Sequence, residues 1–151
     1  MQDLKETCRL ALVQASPVMF DKAASLKKAL TWIENSAAQG AELVVFPELF
    51  LPGYPFGMTF GFKVGSRDEE GRKDWKLYYD NSVVCPGAET EALGAAAKKH
   101  HIYLSIGVSE RDDTTGTLYN TNIMFTPDGT LASIHRKLKP TGAERFVWGD
   151  A

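Results

Sequence analysis

Cysteine is scarce in this chain: Cys8 and Cys85 are the only two among 151 residues, and no C-x-x-C occurs. Histidine is nearly as rare, with His100, His101 and His135. So few ligands assemble neither a disulfide framework nor a zinc site, and no cofactor or metal is implied. A basic surplus is also missing, since 17 Lys and Arg face 19 Asp and Glu for a net charge of -2. That balance argues against a sequence-independent nucleic-acid binder. No apolar run approaches membrane-spanning length, and the start "MQDLKETCRL" is charged where a secretory signal would be hydrophobic, so a cytoplasmic protein with no membrane partner is expected. Neither G-x-G-x-x-G nor G-x-x-x-x-G-K-[ST] is present to cradle a phosphate. Internal repeats, low-complexity tracts and linkers are lacking too. What is present, 44% apolar and 24% charged residues, fits one globular domain with a sizeable core.

The order of elements points to an α/β fold. "CRLALVQASP" (8–17) is a short run of strand formers closed by Pro17. Leu26, Leu30, Ile33 and Ala37 then recur at helical spacing, with Asp21 placed to cap the helix and Gly40 to stop it. "AELVVF" follows as a continuous apolar strand, the pattern of a strand covered on both faces, and completes a βαβ unit. Residues 87–101 place Ala88, Ala92 and Ala96 at helical intervals, and 102–110 reads as a strand. Two further extended runs flank Pro127-Asp128-Gly129, a turn in which Pro fixes φ and Gly tolerates φ > 0. The sheet is therefore expected to be partly antiparallel. Residues 53–80 fit no single period and read as a long loop with a short helix near 68–80.

One carboxylate stands out. In "VVFPELFLPGYP" (44–55), Glu48 is the single carboxylate in an otherwise apolar and proline-glycine run, just past the carboxyl end of a strand. Burying a carboxylate without a partner is costly, so Glu48 either faces water or meets a cation. Ligands of open α/β sheets bind at strand carboxyl ends, which makes Glu48 a candidate general base. "HRKLKPTGAER" (135–145) also follows a predicted strand, so Lys137 can enter the same crevice, with Glu144 beyond the Pro140-Thr141-Gly142 turn. A lysine between two carboxylates stays protonated and can stabilise a developing anion. The bland alternative is that Arg136, Lys137, Lys139 and Arg145 form a solvated basic face.

Together "VVFPELFLPGYPFGMTFG", "VCPGAETEALGAAAKKHHIYLSIGVSER" and "IHRKLKPTGAERFVWGDA" resemble the nitrilase superfamily, specifically its true nitrilase branch, in the expected order along the whole chain. The resemblance implies an αββα sandwich with 1–151 as the N-terminal part of a single carbon-nitrogen hydrolase domain. It also implies a Glu-Lys-Cys mechanism in which Glu48 is the base, Lys137 the electrophilic lysine and Glu144 a second carboxylate that positions it. A small-molecule nitrile substrate and a homo-oligomer at full length follow as expectations. The family's nucleophilic cysteine lies in an elbow downstream of the lysine motif, and the sequence stops at Ala151 before any such elbow. Truncation is expected, and the chain alone is expected to be inactive. Cys8, assigned to the first strand, and Cys85, at a helix entrance, read as structural.

Tyr54 and Phe56 are candidate walls of the substrate pocket in the same resemblance. Gly57, Gly61 and Gly65 repeat every four residues, but Lys63 and Arg67 exclude a membrane helix. Trp32 and Trp148 read as packing residues and His135 as structural. The competing functions are an amidase of the same superfamily, a non-catalytic remnant, or a partner subunit.

Overall fold

The computed structural model describes residues 7–151; the charged start weighed against a secretory signal lies, over residues 1–6, outside them. β1 (Leu10–Leu12) leads into α1 (Lys22–Ala38), whose N-terminus is capped by Asp21 through a 2.8 Å bond from the Ala24 N–H. Gly40 follows the helix at φ 82°, a value glycine adopts without cost. β2 (Leu43–Val45) completes the βαβ unit. Next come α2 (Glu69–Asp80), the two-residue β3 (Val83–Val84), α3 (Ala88–His100), the long strands β4 (Tyr103–Arg111) and β5 (Leu118–Phe125), β6 (Leu131–Arg136) and a 3-10 turn over Gly142–Phe146.

The sheet order is β1-β2-β4-β5-β6, with β3 pairing β4. Parallel pairing over β1, β2 and β4 gives way to antiparallel pairing over β4, β5 and β6. The switch comes at β4 and β5, joined by the 112–117 turn in which the Asp112 N–H donates to the Thr117 carbonyl; Pro127-Asp128-Gly129, with Gly129 at φ 88°, joins β5 to β6, where Thr126 and Thr130 close the hairpin.

Both large helices lie on one face of the sheet. Ala29 and Ile33 of α1 and Leu93 and Ala97 of α3 are buried with Val44, Leu104, Ile106, Ile123 and Phe125. The buried side of α3 is thus Thr90, Leu93, Gly94 and Ala97 rather than the predicted stripe of Ala88, Ala92 and Ala96. In a helix this poor in large side chains, spacing alone does not say which residues face inward. Trp32, expected to pack, is exposed on α1, whereas Trp148 is buried beside Leu49, Tyr78 and Leu118.

The opposite face carries α2 only at the end where Tyr78 packs with Leu49, Leu118 and Trp148; the rest of that face has no helix layer. Register places Leu10, Leu43 and Tyr103 side by side there, then Leu12, Val45, Ser105 and Met124, then Gly107, Asn122 and His135. Leu12 is 71% exposed, and Leu10, Tyr103 and Met124 are exposed as well. A mixed α/β sheet with α1 and α3 on one side is what the chain builds; its second side is apolar and open over β1, β2 and the start of β4 and polar around Asn122 and His135.

Candidate functional site

Two strand ends and a 3-10 turn meet on the open face. Glu48 lies three residues past β2, in a stretch that runs directly over Gly107 of β4. The next residue, Leu49, is fully buried and adopts φ 52°, a left-handed conformation that costs a branched side chain about 1 kcal/mol and is held by its burial. Lys137 follows β6 on the side opposite Arg136, and its N–H donates to the Asn120 carbonyl at 2.7 Å. Glu144 comes from the 3-10 turn, where its carboxylate reaches back to accept the Thr141 N–H at 2.6 Å.

The Lys137 ammonium bridges the two carboxylates, 3.1 Å from Glu48 Oε1 and 3.0 Å from Glu144 Oε2. The surroundings of the two acids differ. Glu144, 11% exposed, also accepts the Tyr54 hydroxyl at 2.7 Å, while Glu48 is 49% exposed and accepts a 2.6 Å bond from Asn120 Nδ2. The predicted partner for Glu48 is therefore present, although half of that side chain still meets the open face.

The electrostatics follow from this geometry. The hydrogen bond to Glu144 raises the pKa of Lys137 above the ordinary lysine value; partial burial opposes this and the bond to Glu48 adds to it. Partial burial pushes the Glu144 carboxyl upward, but the Thr141 N–H, the Tyr54 hydroxyl and Lys137 outweigh it and hold the acid below its ordinary value. Burial and then the Glu144 acceptor push the Tyr54 hydroxyl up to about 12. The arrangement is an obligate ammonium with one carboxylate locked in place and one facing open space. It can take a proton at Glu48 and stabilise an anion at Lys137.

A cleft of about 310 Å³ opens beside the trio, between Glu48, Gly107, Asn120, Asn122, His135 and Lys137. A larger hollow of about 600 Å³ lies between Leu12, Val45 and Pro47; it holds no titratable group and belongs to the uncovered sheet face.

Arg136 is no part of a solvated basic face. Its guanidinium grips Glu110, which is 2% exposed, through Nε and Nη2, and lies 3.9 Å from the Tyr119 ring centre; Thr121 donates to the same carboxylate at 2.7 Å. Lys139 pairs with Asp150. Of the expected pocket walls, Tyr54 reaches the trio and Phe56, 89% exposed, does not. His135 lines the cleft. Cys8 is exposed and precedes β1 instead of lying within it. Cys85 packs against the helix-side core, and burial pushes its thiol up to about 12, the opposite of what a nucleophile needs. Among the described residues, no group of three His, Cys, Asp or Glu side chains is arranged to hold a metal, and no helix is long and apolar enough to cross a membrane.

Two site features escaped the sequence reading. Asn120 and Asn122 are strand-poor residues two apart, which marks a polar patch on one sheet face. Thr141-x-x-Glu144 is a capping pattern that announces a helical turn where only a loop was expected.

Known proteins resemble this chain in sequence and fold. The aliphatic nitrilase of Sinorhizobium fredii is 50% identical over 141 residues, covering 93% of this chain and 45% of its own length. Nitrilase 2 of Arabidopsis thaliana is 45% identical, with 93% and 41% covered. The chain thus spans less than half the length of the curated relatives it matches. Among solved structures, Nit3 of Saccharomyces cerevisiae, from branch 10 of the nitrilase superfamily, superposes with a TM-score of 0.68 at 29% identity, over 94% of this chain and 48% of its own. An amidase from Nesterenkonia sp. shares the fold at 18% identity, with a TM-score of 0.65 and 95% and 48% covered. The carbon-nitrogen hydrolase family matches residues 9–150, and the chain belongs to that family.

Proposed function

We propose that Glu48, Lys137 and Glu144 are the acid-base and electrostatic part of a nitrile-hydrolysing site whose thiol nucleophile is supplied by residues other than Cys8 and Cys85. The observation that carries this reading is the Lys137 ammonium held at 3.1 and 3.0 Å between two carboxylates on the open sheet face, in a chain 50% identical to a nitrilase.

A nitrile carbon is a weak electrophile, so a thiolate is the suitable attacker. Glu48 takes the thiol proton as the C–S bond forms and passes it to the nitrile nitrogen, which gives a thioimidate and restores the carboxylate. Lys137 stabilises the charge that builds first on nitrogen and later on oxygen. Water adds, ammonia leaves, and the thioester is hydrolysed by a second water activated by Glu48, releasing a carboxylic acid and the thiol. Glu144 keeps the lysine charged and pointed, and Tyr54 keeps Glu144 in place.

The test is to graft residues 9–150 over the matching segment of the Sinorhizobium fredii enzyme and measure ammonia release from a panel of nitriles and the corresponding amides. Activity on nitriles that is lost in Glu48→Gln and Lys137→Arg supports the reading, because the amide cannot accept a proton and a planar guanidinium does not replace a compact ammonium. Near-normal rates from both variants would remove the pair from the chemistry. Turnover of amides alone would make the site that of an amidase.

A further inference from the structure

Glu48 is held unevenly, and the unevenness has a chemical meaning. Both of its hydrogen bonds fall on one oxygen: Oε1 accepts Asn120 Nδ2 at 2.6 Å and Lys137 Nζ at 3.1 Å, while Oε2 accepts none among the described residues. The Asn120 amide must present its nitrogen there, because an ionised carboxylate only accepts and two oxygens at that distance repel. The same residue holds the lysine by its main chain, its carbonyl accepting the Lys137 N–H at 2.7 Å. Asn120 is therefore a single rigid link between an acid and an ammonium 89 residues apart. It is itself buried in the middle of β5, between β4 and β6.

We infer that Asn120 is a positioning residue for the proton transfer. It dedicates Oε1 to anchoring and leaves Oε2, which accepts no bond among the described residues, as the oxygen on which the thiol proton lands. In that step the S–H bond breaks, its electron pair stays on sulfur as the thiolate, and an O–H bond forms at Oε2. This rests on the reading of Glu48 as the base. A neutral amide suits the task because it fixes the carboxylate by a short, charge-assisted bond without adding a second cation that would weaken the base.

Two readouts test it. In the 151-residue chain made soluble by Leu12→Lys and Tyr103→Lys on its open apolar face, the side-chain amide proton of Asn120 that faces Glu48 should resonate well downfield of its geminal partner, and the difference should collapse when Glu48→Ala is added. Two near-equivalent protons with Glu48 in place would overturn the inference, and this readout needs no change at position 120. In the grafted enzyme, Asn120→Ala and the similarly sized, uncharged Asn120→Leu should each lower kcat by about 10–100-fold with little change in KM, the scale expected when a reacting group loses its aim. A filler role would leave Asn120→Leu active, since volume is nearly kept and no charge is added, and full activity in that variant would equally overturn the inference. A grafted enzyme that is inactive with Asn120 intact would instead count against the catalytic reading of Glu48, leaving the spectral test to decide the role of Asn120.

Discussion

Gly107→Ala isolates the contact on which the placement of Glu48 depends. A Cβ built at Gly107 meets Leu49 N at 2.5 Å, the Pro47 carbonyl oxygen at 2.6 Å and Glu48 Cα at 2.7 Å. All three are main-chain atoms, so no side-chain rotation relieves them. Ordinary contact begins near 3.4 Å, so the 47–49 segment must retreat by about 0.9 Å, and a like movement of the carboxylate stretches the 3.1 Å bond to Lys137 past hydrogen-bonding range. Overpacking of this kind costs about 1–3 kcal/mol, or about 2–12 °C in Tm for a chain of this size. A displacement near 1 Å at a reacting group is worth about 100-fold in rate. Thermal unfolding of the chain and ammonia release by the grafted enzyme should show both losses. Strand preference alone gives the opposite sign, since alanine in place of an interior glycine normally stabilises by about 0.5–1 kcal/mol. A Gly107→Ala protein with a higher Tm and an unchanged rate would refute the close-approach reasoning.

Arg136→Met should lower stability by about 3–5 kcal/mol, because it strands the buried Glu110 carboxylate with only Thr121 as partner, and pairing it with Glu110→Met should restore most of the loss in a denaturant titration. The Glu144 carboxyl is held below its ordinary value of 4.5 in the folded chain. Its contribution to stability is therefore complete above that pH and lost as pH falls through the lower folded value; Glu144→Gln should melt below the wild type at neutral pH and converge with it in acid. The open apolar face of Leu10, Leu12, Tyr103 and Met124 should make the isolated chain self-associate and bind a hydrophobic dye, both reduced in a Leu12→Lys, Tyr103→Lys variant. A monodisperse, dye-silent wild-type chain would contradict this.

The βαβ start and the hairpin at Pro127-Asp128-Gly129 were legible because periodicity, caps and turn residues are local signals, and the short helix expected near 68–80, in a stretch without a single period, is present as Glu69–Asp80. The same signals overextended β1, where strand formers run from 8 to 17 but the ladder to β2 covers only Leu10–Leu12, with one further bond from the Val13 N–H to the Val45 carbonyl. β3 is two residues long and exists only because β4 lies beside it. The site divided along the same line. Glu48, Lys137 and Glu144 stood out through odd placement and resemblance, and Tyr54 through resemblance. Arg136 looked like one cation among four because its partner Glu110 is 26 residues away and buried. The role of Asn120 depends on a 72-residue contact that no window contains. Phe56 sits in the same proline-rich loop as Tyr54, yet only one of the two turns inward, a choice made by Glu144 from the far end of the chain.

The most direct test of the account is ammonia release from a nitrile panel by the isolated 151-residue chain and by the grafted enzyme, measured side by side. A base and an ammonium without a reactive thiol leave only water to attack a weak electrophile. The grafted enzyme should therefore release ammonia and carboxylic acid in a Glu48-dependent manner, and the isolated chain none. Release of ammonia by the isolated chain that disappears in Cys85→Ala or Cys8→Ala, or a folded grafted enzyme that leaves every nitrile intact, would contradict it.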